Sequence, residues 1–489
     1  PVLEPDLLDD VSFGVGWTLL ERFSTLVRES GSEAEHVAAE HIASELGRMG
    51  VDHHVYEPDL YLSLPRESSV EVEGEQLRAK PPSFAVSTSG GGLTAELVYV
   101  PAATVTGHRD LFANLHASGV PDLTGKVVIT EGYAMPGTVS TLEAAGAVGQ
   151  IFINPGRNIH WGICTPIWGT PTTRNLREKP NTPVVAVNNS DGERLKAAVG
   201  EQVTLRVQLE EGWYRCKLPV ARIGGASDEF MLVHGHYDSW DVGIGDNAVG
   251  DATLLELARI FQNARQELDR SLWIAWWPGH STGRYAGSTW FADEFALDLR
   301  KRCVGAINID SPGCWHATEY DDVMWMAEAG PLCSKAIKDT TGKTAQRLRP
   351  LRAGDYSFNQ IGLTSFYMLL SNIPAGERDA LGFYPTGGCG GNIAWHTEDD
   401  LMDVAERPNL ERDLRVYVAS IARVLNAWVL PYDFRETVAE LAEQMVAYVT
   451  LSKGYLDLSR AEDELKELSV VLDDLYAGID LPDVGSDEA

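Results

Sequence analysis

The sequence predicts an α/β protein: a mostly parallel sheet flanked by helices, interrupted by a second α/β module and followed by a helical segment. Three observations predict it. Between residues 216 and 430, short apolar runs alternate with stretches of helical period, the pattern of strand–helix–strand units. Residues 60–215 carry short β-like runs separated by Gly- and Pro-rich turns. After Pro408 nearly the whole chain has helical periodicity. A chain of 489 residues is also longer than one simple domain requires. The division read here is 1–60 with 215–430 as the main domain, 61–214 as an insert, and 431–489 as a C-terminal helical segment.

Residues 15–50 read as two helices, the first with Leu19, Leu20, Phe23 and Val27 at helical spacing and the second running from Val37 to Leu46. Gly31-Ser32 separates them, Ser32 with Glu35 resembles a capping box, and Gly50 stops the second. Residues 51–56 alternate like a strand. In the insert, strands are expected at 96–99, 126–130, 150–153, 184–187 and 203–208, and short helices at 142–147 and 192–198. In the main domain, strands are expected at 230–234, 272–276, 304–309 and 364–370, with a helix at 246–265 that places Leu254, Leu255, Ala258 and Phe261 on one face. Helices at 410–429, 434–451 and 459–476 follow, then an acidic tail at 480–489 expected to fray.

Composition narrows the partners. With 40 Lys and Arg against 71 Asp and Glu, the formal charge is −31. Such a chain repels phosphate backbones and anionic lipid, which argues against nucleic-acid and membrane-surface binding. Its six cysteines form no CxxC pair and read as reduced core thiols. The acidic start lacks the basic and apolar runs of a signal peptide, and no apolar run reaches the ~20 residues of a membrane span. The expectation is a cytoplasmic protein.

Ligand-type side chains recur where strands should end. His236-Tyr237-Asp238 follows the run at 230–234, and Asp246-Asn247 opens the next helix eight residues after Asp238. Asp310 follows the run at 304–309, and Trp395-His396-Thr397 lies beyond a glycine-rich stretch at 387–391 that is expected to form a mobile loop. Imidazole and carboxylate side chains at strand ends of a parallel sheet are positioned to hold a divalent cation. Other chemistries fit less well. Gly279-His280-Ser281-Thr282-Gly283 superficially resembles a serine nucleophile elbow, but the ligand pattern already accounts for its surroundings. The glycine runs lack the Lys-Ser/Thr of a phosphate loop.

The ordered set resembles the zinc aminopeptidase and glutamate carboxypeptidase superfamily, which includes transferrin-receptor-like proteins. The resemblance runs through 232–240, 245–252, the helix at 254–261, 284–291, 308–310, 354–358 and 395–397. The insert resembles a protease-associated domain, through 122–128, 144–147, 183–188 and Asp191-Gly192. Its loop residues Arg157, His160, Trp161 and Trp168 are candidates for lining a pocket. The resemblance implies that His236, Asp246 and Asp310 hold one metal, that Asp246 bridges to a second held by His396, and that Asp238 orients His236. It also implies a dimer formed through the C-terminal helices, whose apolar stripes exceed what a solvent face needs, although packing on the chain's own sheet also accounts for them.

One departure stands out. The family carries two adjacent glutamates, a general base and a metal ligand, where this chain has Gly279-His280-Ser281-Thr282-Gly283 with one extra residue before Gly287-Ser288. Three readings follow. His280 takes the base role; or His280 joins His236, His396 and an aspartate around a single transition metal; or the site has decayed. Retention of every other ligand position argues against decay. The reading adopted is a metal-dependent hydrolase of an amide-type bond, working through metal-activated water with His280 in place of the glutamate base. It uses one or two divalent ions (zinc first, iron or manganese as alternatives) and acts on a small molecule or short peptide. The rivals are a lyase-type metalloenzyme acting on a small carboxylated or aromatic molecule, and an inactive receptor-like or scaffold protein. Arg347, Arg349 and Arg352 form a basic cluster that could receive a substrate carboxylate.

Overall fold

The computed structural model describes residues 3–102, 120–351 and 354–479, so the acidic tail and Arg352 lie outside the described residues. In chain order the strands are β1 (Asp52–Tyr56), β2 (Asp59–Val72), β3 (Glu75–Arg78), β4 (Leu93–Tyr99) and β5 (Val127–Glu131). They continue with β6 (Gly149–Ile153), β7 (Val184–Val187), β8 (Gln202–Arg215), β9 (Leu218–Ile223) and β10 (Phe230–His236). The last are β11 (Ser271–Trp277), β12 (Cys303–Asn308), β13 (Val323–Trp325), β14 (Arg347–Leu348) and β15 (Ser365–Met368).

Eight of these strands form one sheet, in the order β1-β9-β11-β10-β12-β15-β13-β14. Its centre, β11-β10-β12-β15, is parallel. All seven residues of β10 are buried, as expected for a strand covered on both faces. Successive side chains point to opposite sides. Met231 and Val233 join the core beneath helix Val249–Asn263, while Phe230 and Leu232 join the core around Phe291 and Leu299.

The remaining strands form a second sheet, β3-β2-β8-β4-β5-β6-β7. Its spine is a long antiparallel ribbon, with β2 and β8 paired from Asp59↔Arg215 to Val72↔Val203. The register slips between Pro65 and Ser68, where a proline without an N–H interrupts the ladder. That proline is why β2 was not expected from the sequence. Two cores, on opposite faces of β5, β6 and β7, hold this sheet together.

Ser32 caps helix Glu33–Arg48 by accepting from the Glu35 amide, and Gly50 follows the helix at φ +69°. Val27 is not on a helix, because the first helix ends at Phe23, and its side chain is exposed. Helix Phe434–Leu451 packs against helix Ser459–Ala477. All six cysteines are free and buried. No described helix is long and apolar enough to cross a membrane. Two expectations need correction. Asp246 and Asn247 are not helical (φ −130° and −137°), and the helix proper begins at Val249. The glycine run around Cys389 is not an open loop: Cys389, Gly390 and Gly391 are buried, and a Cβ on Gly388 would sit 2.7 Å from the Trp395 ring.

Candidate active site

The site is built at the C-terminal ends of β10, β11 and β12. Register places His236 opposite Trp277 and His234 opposite Asn308, so the three strands end at one level. Gly235 permits the close approach, because a Cβ there would lie 2.6 Å from the Ile309 carbonyl. The loops that follow carry His236, His280 and Asp310, and Asp246 enters from the turn preceding helix Val249–Asn263.

Three buried residues fix these loops. Asn247 donates to the carbonyls of His236 (3.2 Å) and Ile309 (2.9 Å) and accepts from the Ser311 amide (2.9 Å). It thereby ties together the segments bearing His236, Asp246 and Asp310. Arg28 donates to the carbonyls of Tyr237, Val242 and Gly243 at 2.7, 2.8 and 2.9 Å, pinning the loop between His236 and Asp246. Asp400 accepts from the amides of Gly245 (2.6 Å) and Asp246 (2.9 Å). Burial, with the Asp246 charge nearby, raises the Asp400 carboxyl to about 7 despite those amides.

The geometry assigns the tautomers of His236 and His396. His236 Nδ1 lies 3.0 Å from the Asp238 carbonyl and His396 Nδ1 lies 2.9 Å from the Trp161 carbonyl. A carbonyl only accepts, so each Nδ1 carries the proton. The other ring nitrogens face Asp246: His236 Nε2 is 2.9 Å from Oδ1, and His396 Nε2 is 2.9 Å from Oδ2. Yet His236 Nε2 and Asp246 Oδ1 are buried with no hydrogen-bond partner. With Nδ1 protonated, a neutral His236 puts its Nε2 lone pair 2.9 Å from Asp246 Oδ1, an arrangement that a proton on Nε2 or a cation between the two atoms makes favourable. Burial opposes charge on His236, but Asp238 and Asp246 beside it hold the imidazole well above its usual range. Burial likewise opposes ionisation of Asp246, but His236 and His396 hold its carboxyl well below the usual range. Asp310, 3.7 Å from His236 Nε2, is raised by burial and by Asp246. The imidazole–carboxylate donor set around Asp246 fits a divalent cation.

Asp238 acts on His236 mainly through its backbone carbonyl, since its Oδ1 is 3.4 Å from Nδ1. The carboxylate instead accepts from the amides of His280 (3.3 Å) and Ser281 (2.9 Å), fixing the loop after β11. Gly279 makes the turn at φ +70°. The His280 ring stacks on that of His236, with centroids 3.7 Å apart and planes 12° apart. Its Nδ1 is 2.6 Å from Asp355 Oδ2, leaving Nε2 for the site. Ser288 donates to the other Asp355 oxygen at 2.7 Å. Burial would raise the Asp355 carboxyl, but the adjacent His280 keeps it below the usual range. His236, His280 and Asp310 each offer a ligand atom within 4.8 Å of the others. Among the described residues that line the cavity, the carboxylates are Asp246 and Asp310, and Ser281 stands in the loop after β11.

The side chains open into a cavity of about 110 Å³, whose wall includes Asp246, His280, Asp310 and His396. The insert roofs it. Trp161 exchanges two hydrogen bonds with His396, its amide donating to the His396 carbonyl at 2.9 Å. Its indole donates to Asp241 (2.9 Å) and stacks on Trp240 with centroids 5.4 Å apart. Buried Lys80 bonds Glu398 at 2.7 Å and lies 4.5 Å above the Trp161 ring. Of the insert's candidate residues, only Trp161 lines the cavity. His160 is buried and bridges the Trp395 carbonyl (2.6 Å) and the Tyr384 hydroxyl (2.9 Å). Arg157 pairs with Asp399 at the surface, and Trp168 donates to Ser357. Arg347 and Arg349 do not reach the cavity; they lie by Glu440 at 3.0 and 3.8 Å.

Asp355, Asn247, Arg28 and Asp400 received no role from the sequence. The only signal for Asp355 was its position within the matching stretch 354–358; nothing local pointed to Arg28.

Comparison with known proteins places this geometry. Residues 220–419 match the Peptidase family M28 profile. A glutamate carboxypeptidase 2 homolog from Caenorhabditis briggsae is 32% identical over 117 residues, covering 23% of this chain and 15% of that protein. A Schizosaccharomyces pombe protein named inactive zinc metalloprotease C354.09c is 24% identical over 264 residues, covering 51% and 32%. The chain therefore spans less than a third of the length of either relative. The zinc aminopeptidase BSAP of Bacillus subtilis shares the fold with a TM-score of 0.62 at 19% identity, over 84% of this chain and 94% of that one. An aminopeptidase from Aneurinibacillus sp. strain AM-1 shares it at 0.60 and 18% identity, over 86% and 95%. His236, Asp246, His280, Asp310 and His396, the five converging ligand-type side chains, all lie within residues 220–419, the segment that matches the Peptidase family M28 profile.

Proposed function

We propose that this protein is a metal-dependent hydrolase of amide-type bonds in which His280 accepts the proton of the attacking water. The observation that carries the reading is the His280–Asp355 pair facing the ligand cluster. Asp355 fixes the tautomer and orientation of His280, so that Nε2 is the basic atom presented to the cavity. His236, Asp246 and Asp310 would hold the ion, zinc by its N/O donor set and by the likeness to zinc aminopeptidases, with iron or manganese as alternatives. When bound, the ion would polarise the scissile carbonyl and acidify water. The chain's own residues do the rest: Asp238 and Asn247 hold the loops in register, Trp161 orients His396, and the insert keeps bulk water out. With Asp246 and His396 as the ligand-type side chains described on the second side, one ion should bind tightly and a second weakly.

The insert, resembling a protease-associated domain, serves as the cover of the site. The six buried free thiols support a reducing, cytoplasmic location. Exposed Leu441, Val446, Tyr448 and Leu451 on one C-terminal helix, with Val470 and Val471 on the other, support a homodimer.

Elemental analysis with turnover of aminoacyl anilides and N-acyl aromatic amides tests the reading. His280→Ala should abolish turnover while retaining the ion. A second reading makes His280 itself a ligand, favoured by its ligand atom lying within 4.8 Å of those of His236 and Asp310. In that case His280→Ala loses ion and turnover together.

A further inference from the structure

We propose that the indole of Trp161 ends the substrate pocket and sets how long a substrate the site accepts, which makes the natural substrate a compact amide whose groups stop at that ring. This names the substrate class of the site and rests on the hydrolase reading above.

The first argument is a shared wall. The catalytic cavity of about 110 Å³ is lined by Trp161 together with Asp246, His280, Asp310 and His396. A second cleft, of about 860 Å³, runs along the second sheet past Arg78 of β3 and Arg206 and Gln208 of β8. Among the described residues, Trp161 is the one that lines both. The cavity alone is below the ~300 Å³ at which pockets for drug-sized ligands begin, and the cleft is well above it. The indole thus stands between a small space that holds the ligand cluster and a larger one that does not.

The ring is also held in place. Its N–H donates to Asp241 at 2.9 Å, Trp240 stacks on it with planes 11° apart, and Lys80 Nζ lies 4.5 Å from its centre. Lys80 is itself fixed by Glu398 at 2.7 Å. The segments that deliver Lys80 and Trp161 are paired: the Ser83 amide donates to the Gly162 carbonyl at 2.9 Å, and the Cys164 amide donates to the Ser83 carbonyl at 3.1 Å. Swinging the indole aside would break the stack, the cation contact and the N–H bond together.

Main chain and side chain of Trp161 have separate tasks. The main chain holds His396, through the amide that donates to its carbonyl and the carbonyl that accepts from its Nδ1, each at 2.9 Å. The indole faces the cavity. Shortening the side chain therefore keeps both main-chain bonds, removes the wall and joins the cavity to the cleft.

The test uses two pairs of probes on the full-length, metal-loaded protein. Isothermal titration compares benzamide with biphenyl-4-carboxamide, which extends the acyl side by one rigid ring. Values of kcat/KM compare aminoacyl anilides with the matching 4-phenylanilides, which extend the leaving group. In at least one pair the wild type should favour the shorter member ~10-fold or more, and Trp161→Ala should remove that preference. Trp161→Phe, with a smaller ring, should give an intermediate ratio, and it carries the test alone if the alanine variant fails to fold. Met368→Ala enlarges the cavity at a residue that does not line the cleft, and should move the ratio by less than about threefold. The ratio reads length, because a loosened fold or a weakened ion site lowers both members of a pair. A wild type that takes both members of each pair equally well overturns the proposal. So does a ratio left unchanged by both Trp161 substitutions, or one moved as far by Met368→Ala. Anilide turnover with an unmoved ratio leaves the hydrolase reading standing and removes only the length rule. Binding that obeys the length rule in a protein without turnover removes the hydrolase reading and leaves the wall.

Discussion

Asp355→Asn isolates what orients His280. The native pair is a charge-assisted hydrogen bond of 2.6 Å to a carboxylate with no solvent exposure. The asparagine oxygen still accepts from Nδ1, and its amide can turn to Ser288 or Ser357, whose hydroxyls lie 2.9 Å apart. Geometry survives and the charge is lost. A hydrogen bond to a charged group contributes about 1.5–3 kcal/mol. At about 1.4 kcal/mol per decade, that predicts a fall in kcat of roughly 10- to 150-fold. The assay measures kcat and KM on the best anilide or amide substrate, with metal content measured on the same samples. The expectation is a lower kcat, a KM within about threefold, and an unchanged ion content, because Asp355 touches His280 and none of the other ligand-type side chains. An unchanged kcat refutes the role of His280 as base. A fall in ion content parallel to kcat refutes it differently, by making His280 a ligand.

Other predictions follow from the same geometry. Asp246→Asn should abolish stoichiometric ion binding, since both imidazole Nε2 atoms meet at that carboxylate, and chelation of the wild type should lower Tm; an ion held at ~1,000 times its Kd contributes about 4 kcal/mol. Arg28→Met should lower the urea-derived stability by at least ~3 kcal/mol, because three buried carbonyls lose a charged donor, and should weaken ion affinity by loosening the loop between His236 and Asp246. Burial lowers His160 from the usual 6.5 to about 3; the unfolded chain therefore binds a proton that the native state refuses, and stability present above pH 6.5 is lost as pH falls towards 3. That amounts to about 2 kcal/mol by pH 5, and His160→Gln should flatten this part of the urea-midpoint profile between pH 7 and pH 5. Leu441→Asp with Tyr448→Asp should convert a dimer to a monomer by light scattering; a monomeric wild type contradicts the proposed interface.

What the sequence made legible was local. The continuous apolar runs that became β10, β11 and β12 carry their own signature, and the ligand-type residues follow them directly. The helix Phe434–Leu451 announces itself by period alone. What remained hidden depends on chain crossings that no window contains. Asp355 is 75 residues from His280, and Arg28 is 209 residues from the Tyr237 carbonyl it holds. β2 was masked by Pro65, which is tolerated only because the ribbon bulges there. Arg347 and Arg349 misled for the opposite reason: a cluster close in sequence met Glu440 instead of the cavity. Asp246 looked like a helix opener, yet it stands outside the helix with both oxygens turned to histidines.

Anomalous diffraction from crystals of the ion-loaded protein reads the claim beneath all others. The account predicts one strong peak at about 2.0–2.2 Å from His236 Nε2 and from oxygens of Asp246 and Asp310, with at most a weaker one by His396. No peak there, or a lone peak whose neighbours exclude both His236 and Asp246, would contradict it.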